Sequence, residues 1–162
     1  GGNVNKEFLQ KHLEENEYNK IIAADRGLES LNKINVKPDH IIGDFDSVNK
    51  KVLQQYKNVP ITYLKPEKDF TDTHMALKHA IEHGATQITI VGAIGTRFDH
   101  SIANIHILKE ALENNVEAEI INENNRIKLI NKDTKIKKEE EYKYVSLIPL
   151  TTNATRSYIR RF

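Results

Sequence analysis

At 162 residues the chain holds one full domain, or one domain and part of a second, and it is long enough to bury a sizeable core. Charged residues make up 29% and hydrophobic residues 38%, with a formal net charge of +1; these are ordinary globular values, which set disorder aside and offer no overall field for a nucleic acid or a membrane surface. The absence of cysteine excludes disulfides, thiolate catalysis and cysteine-ligated zinc together, and no apolar run of bilayer length or signal peptide is found, so a soluble, cytoplasmic protein is expected.

Helical and strand-like patterns alternate along the chain. Glu7 to Glu15 reads as a helix. Ile21 to Ala24 is a brief strand that ends at Asp25, and His40 to Gly43 is another that ends at Asp44. A helix over Lys50 to Tyr56 leads to a strand at Ile61 to Leu64. Thr71 to His83 is helical, with Ala76, Leu77, Ala80 and Ile81 at helical spacing. Gln87 to Val91 is the fourth strand. Asp99 to Asn114 is a helix with an apolar stripe of Ile102, Ile105, Leu108 and Leu112. Ala118 to Ile121 is a fifth strand. Such alternation implies a parallel sheet covered by helices, a three-layer α/β domain.

The character changes after about Asn122. Residues 131–141 are rich in lysine and glutamate with little apolar content. Mixed acids and bases mark a solvated strand-and-turn region there, not a nucleic-acid patch. Tyr142 to Leu150 reads as a strand, and Thr151 to Phe162 carries no recognisable pattern. A boundary is therefore expected near Glu117, with an α/β domain over residues 1–117. Residues 118–162 would begin a β-rich second domain, too short to close a sandwich alone.

Most strands run into an acidic or glycine residue. Asp25-Arg26-Gly27 follows the first, Gly43-Asp44-Phe45-Asp46-Ser47 the second, and Gly92-Ala93-Ile94-Gly95-Thr96-Arg97-Phe98-Asp99-His100 the fourth. Asp72 stands in the first turn of the helix starting at Thr71. In a parallel α/β sheet the carboxyl ends of the strands share one edge, and ligands bind there. Asp25, Asp44, Asp46, Asp72 and Asp99 are thus expected to converge. Converging acids need a positive partner. Mg²⁺ prefers oxygen ligands and is usually held by one or two carboxylates with substrate phosphates. The glycines of Gly92 to Gly95 let backbone N–H groups approach a phosphate, and Arg97 adds a planar fork. The combination reads as metal-assisted chemistry on a polyphosphate. Structural roles compete at each position: Asp72 and Asp99 as helix caps, the glycines as turn residues, and Gly-Asp-x-Asp-Ser as a plain turn. His74, His79, His83 and His106 read as surface or core-edge residues. His100 adjoins Asp99 and shares a helix face with Asn104, and both a structural and a functional role stay open for that pair.

In order, these segments resemble the thiamine pyrophosphokinase family. The matching stretches are Ala24-Asp25-Arg26-Gly27, Pro38 to Ser47, Lys68-Asp69-Phe70-Thr71-Asp72 and Gly95 to Asn104. The resemblance implies an α/β domain that binds ATP, followed by a β-sandwich domain that is incomplete here. It also implies a homodimer with thiamine bound where subunits meet. By resemblance Asp44, Asp46, Asp72 and Asp99 match acids that hold Mg²⁺ and the phosphates and serve catalysis. Asp25, Gly27, Ser47, Thr71, Gly95, Arg97 and His100 match the surrounding nucleotide shell, and Asn104 belongs to the same motif. Two departures stand out: the family's first strand normally precedes a glycine pair, whereas this sequence opens at Gly1-Gly2, and the second domain is short. No thiamine-contacting residue carries over from it.

The implied reaction transfers pyrophosphate from ATP to the thiamine hydroxyl, releasing AMP, with Asp72 or Asp99 as the first candidates to accept the proton. Rival readings are another Mg²⁺-dependent phosphotransferase, a receiver-type signalling domain and a thiamine-binding protein without turnover. A receiver needs one phosphoacceptor aspartate and a lysine after a late strand. Arg97-Phe98-Asp99-His100 after a glycine loop favours a nucleotide instead.

Overall fold

The computed structural model describes residues 4–65, 70–137 and 139–150. Gly1-Gly2, Lys68-Asp69 and the segment Thr151 to Phe162 lie outside the described residues. The chain runs α1 (Lys6–Glu15), β1 (Ile22–Ala24), α2 (Gly27–Lys33), β2 (His40–Gly43), α3 (Lys50–Gln55), β3 (Ile61–Tyr63), α4 (Asp72–Glu82), β4 (Gln87–Val91), α5 (Phe98–Glu113), β5 (Glu117–Ile121) and β6 (Arg126–Lys128). It is a mixed α/β fold. One parallel sheet has the order β1-β2-β3, and a second, mixed sheet has the order β4-β5-β6. Ala23 lies opposite Ile41, and Gly43 opposite Tyr63. β4 and β5 pair in parallel along their whole length, whereas β6 returns antiparallel to β5.

Local chemistry accounts for the helix starts. Asn5, Asn49 and Thr71 sit in extended backbone and accept from the N–H of Phe8 (3.1 Å), Lys51 (2.9 Å) and His74 (3.2 Å). Each satisfies a donor that the first turn leaves without a partner. α2 was not expected from the sequence. Only Leu28 and Leu31 mark its apolar face, but they are 0% and 6% exposed, and tertiary burial supplies what a seven-residue helix lacks by itself. These leucines pack with Ala23, Ile41, Phe45 and Val59 in the core of the first sheet. Leu77, Ile107, Ala111 and Val116 form a second cluster, and Ala93, Leu108 and Ile120 a third.

Three expectations are corrected. The strands do not join one parallel sheet: among the described residues they form two, and the second ends in an antiparallel strand. The buried face of α5 consists of Ser101, Asn104, Ile107, Leu108 and Ala111. Ile102 is 40% exposed, because the face turned inward includes two polar residues that the apolar stripe could not reveal. Tyr142 to Leu150 does not form a strand: β-prone residues need a partner ladder, and none is formed by this segment among the described residues. Tyr144 and Ile148 stand 90% and 86% exposed. A short hairpin to β6 was also missed. It turns on Asn122, whose Oδ1 accepts from the N–H of Asn124 and Asn125 at 2.9 and 2.7 Å. The division expected at residue 117 falls at the first residue of β5.

α4 packs against β1, β2 and α5. At its last turn His79 stacks on His83 with ring centroids 4.0 Å apart, and on His40 of β2 at 4.3 Å. His40 Nε2 also meets Thr62 Oγ1 of β3 at 2.8 Å. Burial pushes the pKa of His40 and His79 below the ordinary histidine value, and the positive charges of neighbouring histidines and Lys20 add to this, against a smaller opposing pull from Glu82 on His79. Between the ordinary and the lowered value the unfolded chain binds more protons than the folded one. Stability from this stack is therefore complete above about pH 6.5 and is lost as the pH falls through the lowered folded values. The urea midpoint is expected to drop on acidification through that window, and His79→Gln to reduce the drop. An equal drop in the variant would place the acid sensitivity elsewhere.

Candidate functional site

β1 and β2 run parallel and end together, and both ends turn in the left-handed region. Asp25, just past β1, has φ 44°, and Phe45, two residues past β2, has φ 59°. Aspartate tolerates this region better than most residues, whereas a phenylalanine there is uncommon. Both turns are held by packing. The Asp25 N–H donates to the Ile42 carbonyl at 2.8 Å. Phe45 is only 9% exposed, joins the first core, and meets Tyr63 edge to face at 5.3 Å. Gly43 makes the approach possible. A Cβ there would stand 3.1 Å from Phe45 Cε1, 3.2 Å from Asp25 Cα and 3.3 Å from Asp25 N.

These turns bring three carboxylates together. Ligand oxygens of Asp25, Asp44 and Asp46 lie within 4.8 Å of one another. Asp25 Oδ2 accepts from Ser47 Oγ at 2.9 Å. Asp25 Oδ1 is buried and has no hydrogen-bond partner among the described residues. Asp44 Oδ1 accepts from the Asp46 N–H at 3.3 Å. A buried carboxylate oxygen with no donor is costly unless a cation completes it. Hard oxygen donors at this separation suit a divalent cation such as Mg²⁺. Asp25 stands in this trio, where the family pattern put it in the surrounding shell.

The other expected residues lie on neighbouring elements. Thr71 caps α4, and Asp72 stands in its first turn; neither belongs to the trio. Gly27 opens α2, and a Cβ there would meet nothing within 4 Å, so packing does not dictate that glycine. Arg97 occupies the N-cap position of α5 without a side-chain cap. Its Nη2 and Nε reach Asp99 Oδ2 and Oδ1 at 2.7 and 3.3 Å, on the exposed surface. These hydrogen bonds hold the Asp99 carboxyl below the usual range. His100 Nε2 is 4.0 Å from Asp99 Oδ2. Asn104 is buried and donates from Nδ2 to the Ala93 carbonyl at 2.8 Å. The Gly95 N–H, expected to face a phosphate, donates to Ser101 Oγ at 3.2 Å. Ser101 was given no role from the sequence, where a small polar residue in a helix carries no signal of what it holds.

Fold and edge together define an α/β protein of the kind that takes its ligand at the carboxyl ends of parallel strands, with an acid cluster suited to a hard cation. Comparison with known proteins narrows this class. Residues 11–120 match the family model described as thiamin pyrophosphokinase, catalytic domain. The chain belongs to that family. It is 32% identical to thiamine pyrophosphokinase of Bacillus subtilis (strain 168) over 133 residues, which is 80% of this chain and 62% of that protein. It is 25% identical to thiamin pyrophosphokinase 1 of Caenorhabditis elegans over 156 residues, 87% of this chain and 63% of that protein. The crystal structure of the thiamine pyrophosphokinase from Bacillus subtilis superposes with a TM-score of 0.66 at 25% identity, covering 77% of this chain and 60% of that one. The chain thus spans under two thirds of the length of these relatives.

Gly43 is the point where this geometry can be tested without a ligand. Gly43→Ala sets a methyl group against the Asp25 backbone, which cannot yield as a flexible side chain would. A loss of about 1–3 kcal/mol, the usual cost of overpacking a tight site, is expected in urea unfolding. An unchanged midpoint would show that the two strand ends do not need this approach.

Proposed function

We propose that this chain is the nucleotide-handling part of a thiamine pyrophosphokinase, transferring pyrophosphate from ATP to the hydroxyl of thiamine to give thiamine diphosphate and AMP. Family membership supports the reading. The observation that carries it is the trio of Asp25, Asp44 and Asp46 at the carboxyl edge of the parallel sheet, with a buried oxygen that has no donor among the described residues. Asp44 and Asp46, joined by Asp25, would hold Mg²⁺, with Asp72 and Asp99 completing the acid set around the phosphates. When bound, the cation neutralises charge on the phosphate oxygens and the leaving group. Ser47 fixes one oxygen of Asp25. Thr71, Gly27, Gly95 and His100 belong to the nucleotide shell. Arg97, released from Asp99, presents its fork to phosphate, and the freed carboxylate of Asp99, or Asp72, accepts the hydroxyl proton. The thiamine oxygen then bonds to the β-phosphorus as the bond to the α-phosphate oxygen breaks and AMP leaves. Positioning and electrostatics carry such a transfer, with little covalent work for the protein.

The α/β part over residues 1–117 is a three-layer nucleotide-binding domain in this reading. The chain from residue 118 leads into a β-sandwich that binds thiamine and joins two subunits. Exposed Tyr144, Val145 and Ile148 supply apolar surface for that role. The protein works in the cytoplasm, and no helix among the described residues is long and apolar enough to cross a membrane.

Incubation with thiamine, ATP and Mg²⁺ tests the reading: thiamine diphosphate and AMP are expected, whereas ADP would indicate a different kinase. Asp39 and Asp44 flank β2 at opposite ends. Asp39 Oδ2 accepts from the Ile21 N–H at 2.7 Å, a bond that an asparagine oxygen can also accept. Asp39→Asn is therefore expected to leave turnover within a few-fold, and Asp44→Asn to lower it at least about a hundredfold, the scale of one lost electrostatic stabiliser. Equal effects would misplace the site.

Metal and nucleotide should also depend on each other. Unit charges of like sign at about 4 Å repel by roughly 4 kcal/mol at an effective dielectric of 20. The trio and the ATP phosphates are all anionic. Calorimetric titration is expected to show tight ATP binding with Mg²⁺ and weak binding in EDTA. Equal affinity in EDTA would separate the acids from the phosphates.

A further inference from the structure

Ser101 is one of two polar side chains buried on α5, and its hydroxyl addresses three backbone groups of the loop after β4. Oγ accepts from the Gly95 N–H at 3.2 Å and lies 3.1 Å from the Arg97 carbonyl and 3.4 Å from the Gly95 carbonyl, which share its single proton. Ser101 is 6% exposed. One turn on, Asn104, 8% exposed, donates to the Ala93 carbonyl at 2.8 Å. The first two turns of α5 thus grip the loop at Ala93, Gly95 and Arg97. Gly92, at φ 79°, provides the left-handed bend that starts it. The Arg97 carbonyl also accepts from the Ser101 N–H at 3.1 Å, so Ser101 meets the loop through its backbone and its hydroxyl, while the Arg97 side chain does not cap the helix and reaches outward to Asp99.

We propose that Ser101 is the positioning residue that aims Arg97 and fixes the 93–97 loop for a nucleotide phosphate. The inference rests on the nucleotide reading above. Its physical content is that a buried hydroxyl replaces water as partner to the Gly95 N–H and ties that amide to the helix turn that starts at Arg97, and so removes the freedom that a glycine-containing loop would otherwise keep. Deleting the hydroxyl leaves the Gly95 N–H to find water while the Arg97 carbonyl keeps the Ser101 N–H at 3.1 Å, so the loop loses its anchor on one side of Arg97 and the base of the Arg97 side chain is held from the helix side alone. Ser101 touches no substrate in this arrangement. It acts through Arg97.

Two measurements on the full chain separate this role from simple stabilisation. In Ser101→Ala, hydrogen exchange at the Gly95 amide is expected to accelerate about tenfold or more, the scale of one lost hydrogen bond. The Kd for Mg²⁺·ATP by calorimetry is expected to rise by about the same factor, and Ser101→Thr, which keeps the hydroxyl, is expected to restore both. Should Ser101→Ala fold poorly, Ser101→Cys, near-isosteric with a weak donor, takes its place. Unchanged exchange at Gly95 would overturn the grip itself. Faster exchange with Mg²⁺·ATP affinity equal to the wild type would make Ser101 structural only and overturn the proposal. If the wild type binds no Mg²⁺·ATP, the nucleotide reading fails and this role fails with it, whereas Gly95 exchange still reports whether the hydroxyl holds the loop.

Discussion

The left-handed turns at Asp25 and Phe45 are the constraint on which the acid site depends. Carboxylates at the ends of two parallel strands would ordinarily spread apart with the twist of the sheet and with their mutual repulsion. Each left-handed residue costs on the order of 1–3 kcal/mol. Burial of the Phe45 ring against the first core returns a comparable amount, about 1.5–3 kcal/mol for a fully buried side chain. The ring therefore fixes the backbone between Asp44 and Asp46, and the two acids inherit their directions from an apolar contact. Gly43 lets the β2 end lie against the Asp25 backbone, where a Cβ would stand 3.2–3.3 Å from it and force the neighbours to shift.

The same geometry creates an electrostatic demand. Asp25, Asp44 and Asp46 crowd their oxygens, and one of these is buried without a donor among the described residues. A protein can relieve such crowding with a basic side chain or with a cation. Arg97, the guanidinium on the glycine loop, is engaged with Asp99. The pair is exposed, so water screens it and its separation costs little. In the proposed reading a weak pair of this kind opens readily, the arginine toward phosphate oxygens and the aspartate toward a cation or a proton.

The strand ends of the two sheets are stiffened by different means. The β1–β2 end uses an apolar anchor beneath charged residues. The β4–α5 end uses buried polar side chains, Ser101 and Asn104, that hold backbone groups directly. Asn104, expected in the nucleotide shell, spends its amide on the Ala93 carbonyl. The apolar surface below this loop comes from Ala93, Leu108 and Ile120, so helix, strand and loop share one cluster, and a change in any of them reaches the loop.

Strands and helices were legible wherever periodicity was strong, as in Gln87–Val91 and the helix from Phe98 to Glu113. α2 was not, because two leucines make no pattern until the sheet buries them. Tyr142 to Leu150 was misread for the converse reason: β-branched and aromatic residues record a capacity to pair, and pairing also requires a neighbour. The sequence by itself determined that acids and glycines follow the strands, and within each parallel pair strand direction puts those positions at one end; it did not determine that β1 to β3 and β4 to β6 form separate sheets. It also determined the family, through four motifs in order. Only the tertiary structure decided that Asp25 joins Asp44 and Asp46, and that Ser101 faces inward to hold Gly95 and Arg97. Both depend on backbone angles and burial, which arise from contacts between residues far apart in the chain and leave no local trace in the order of amino acids.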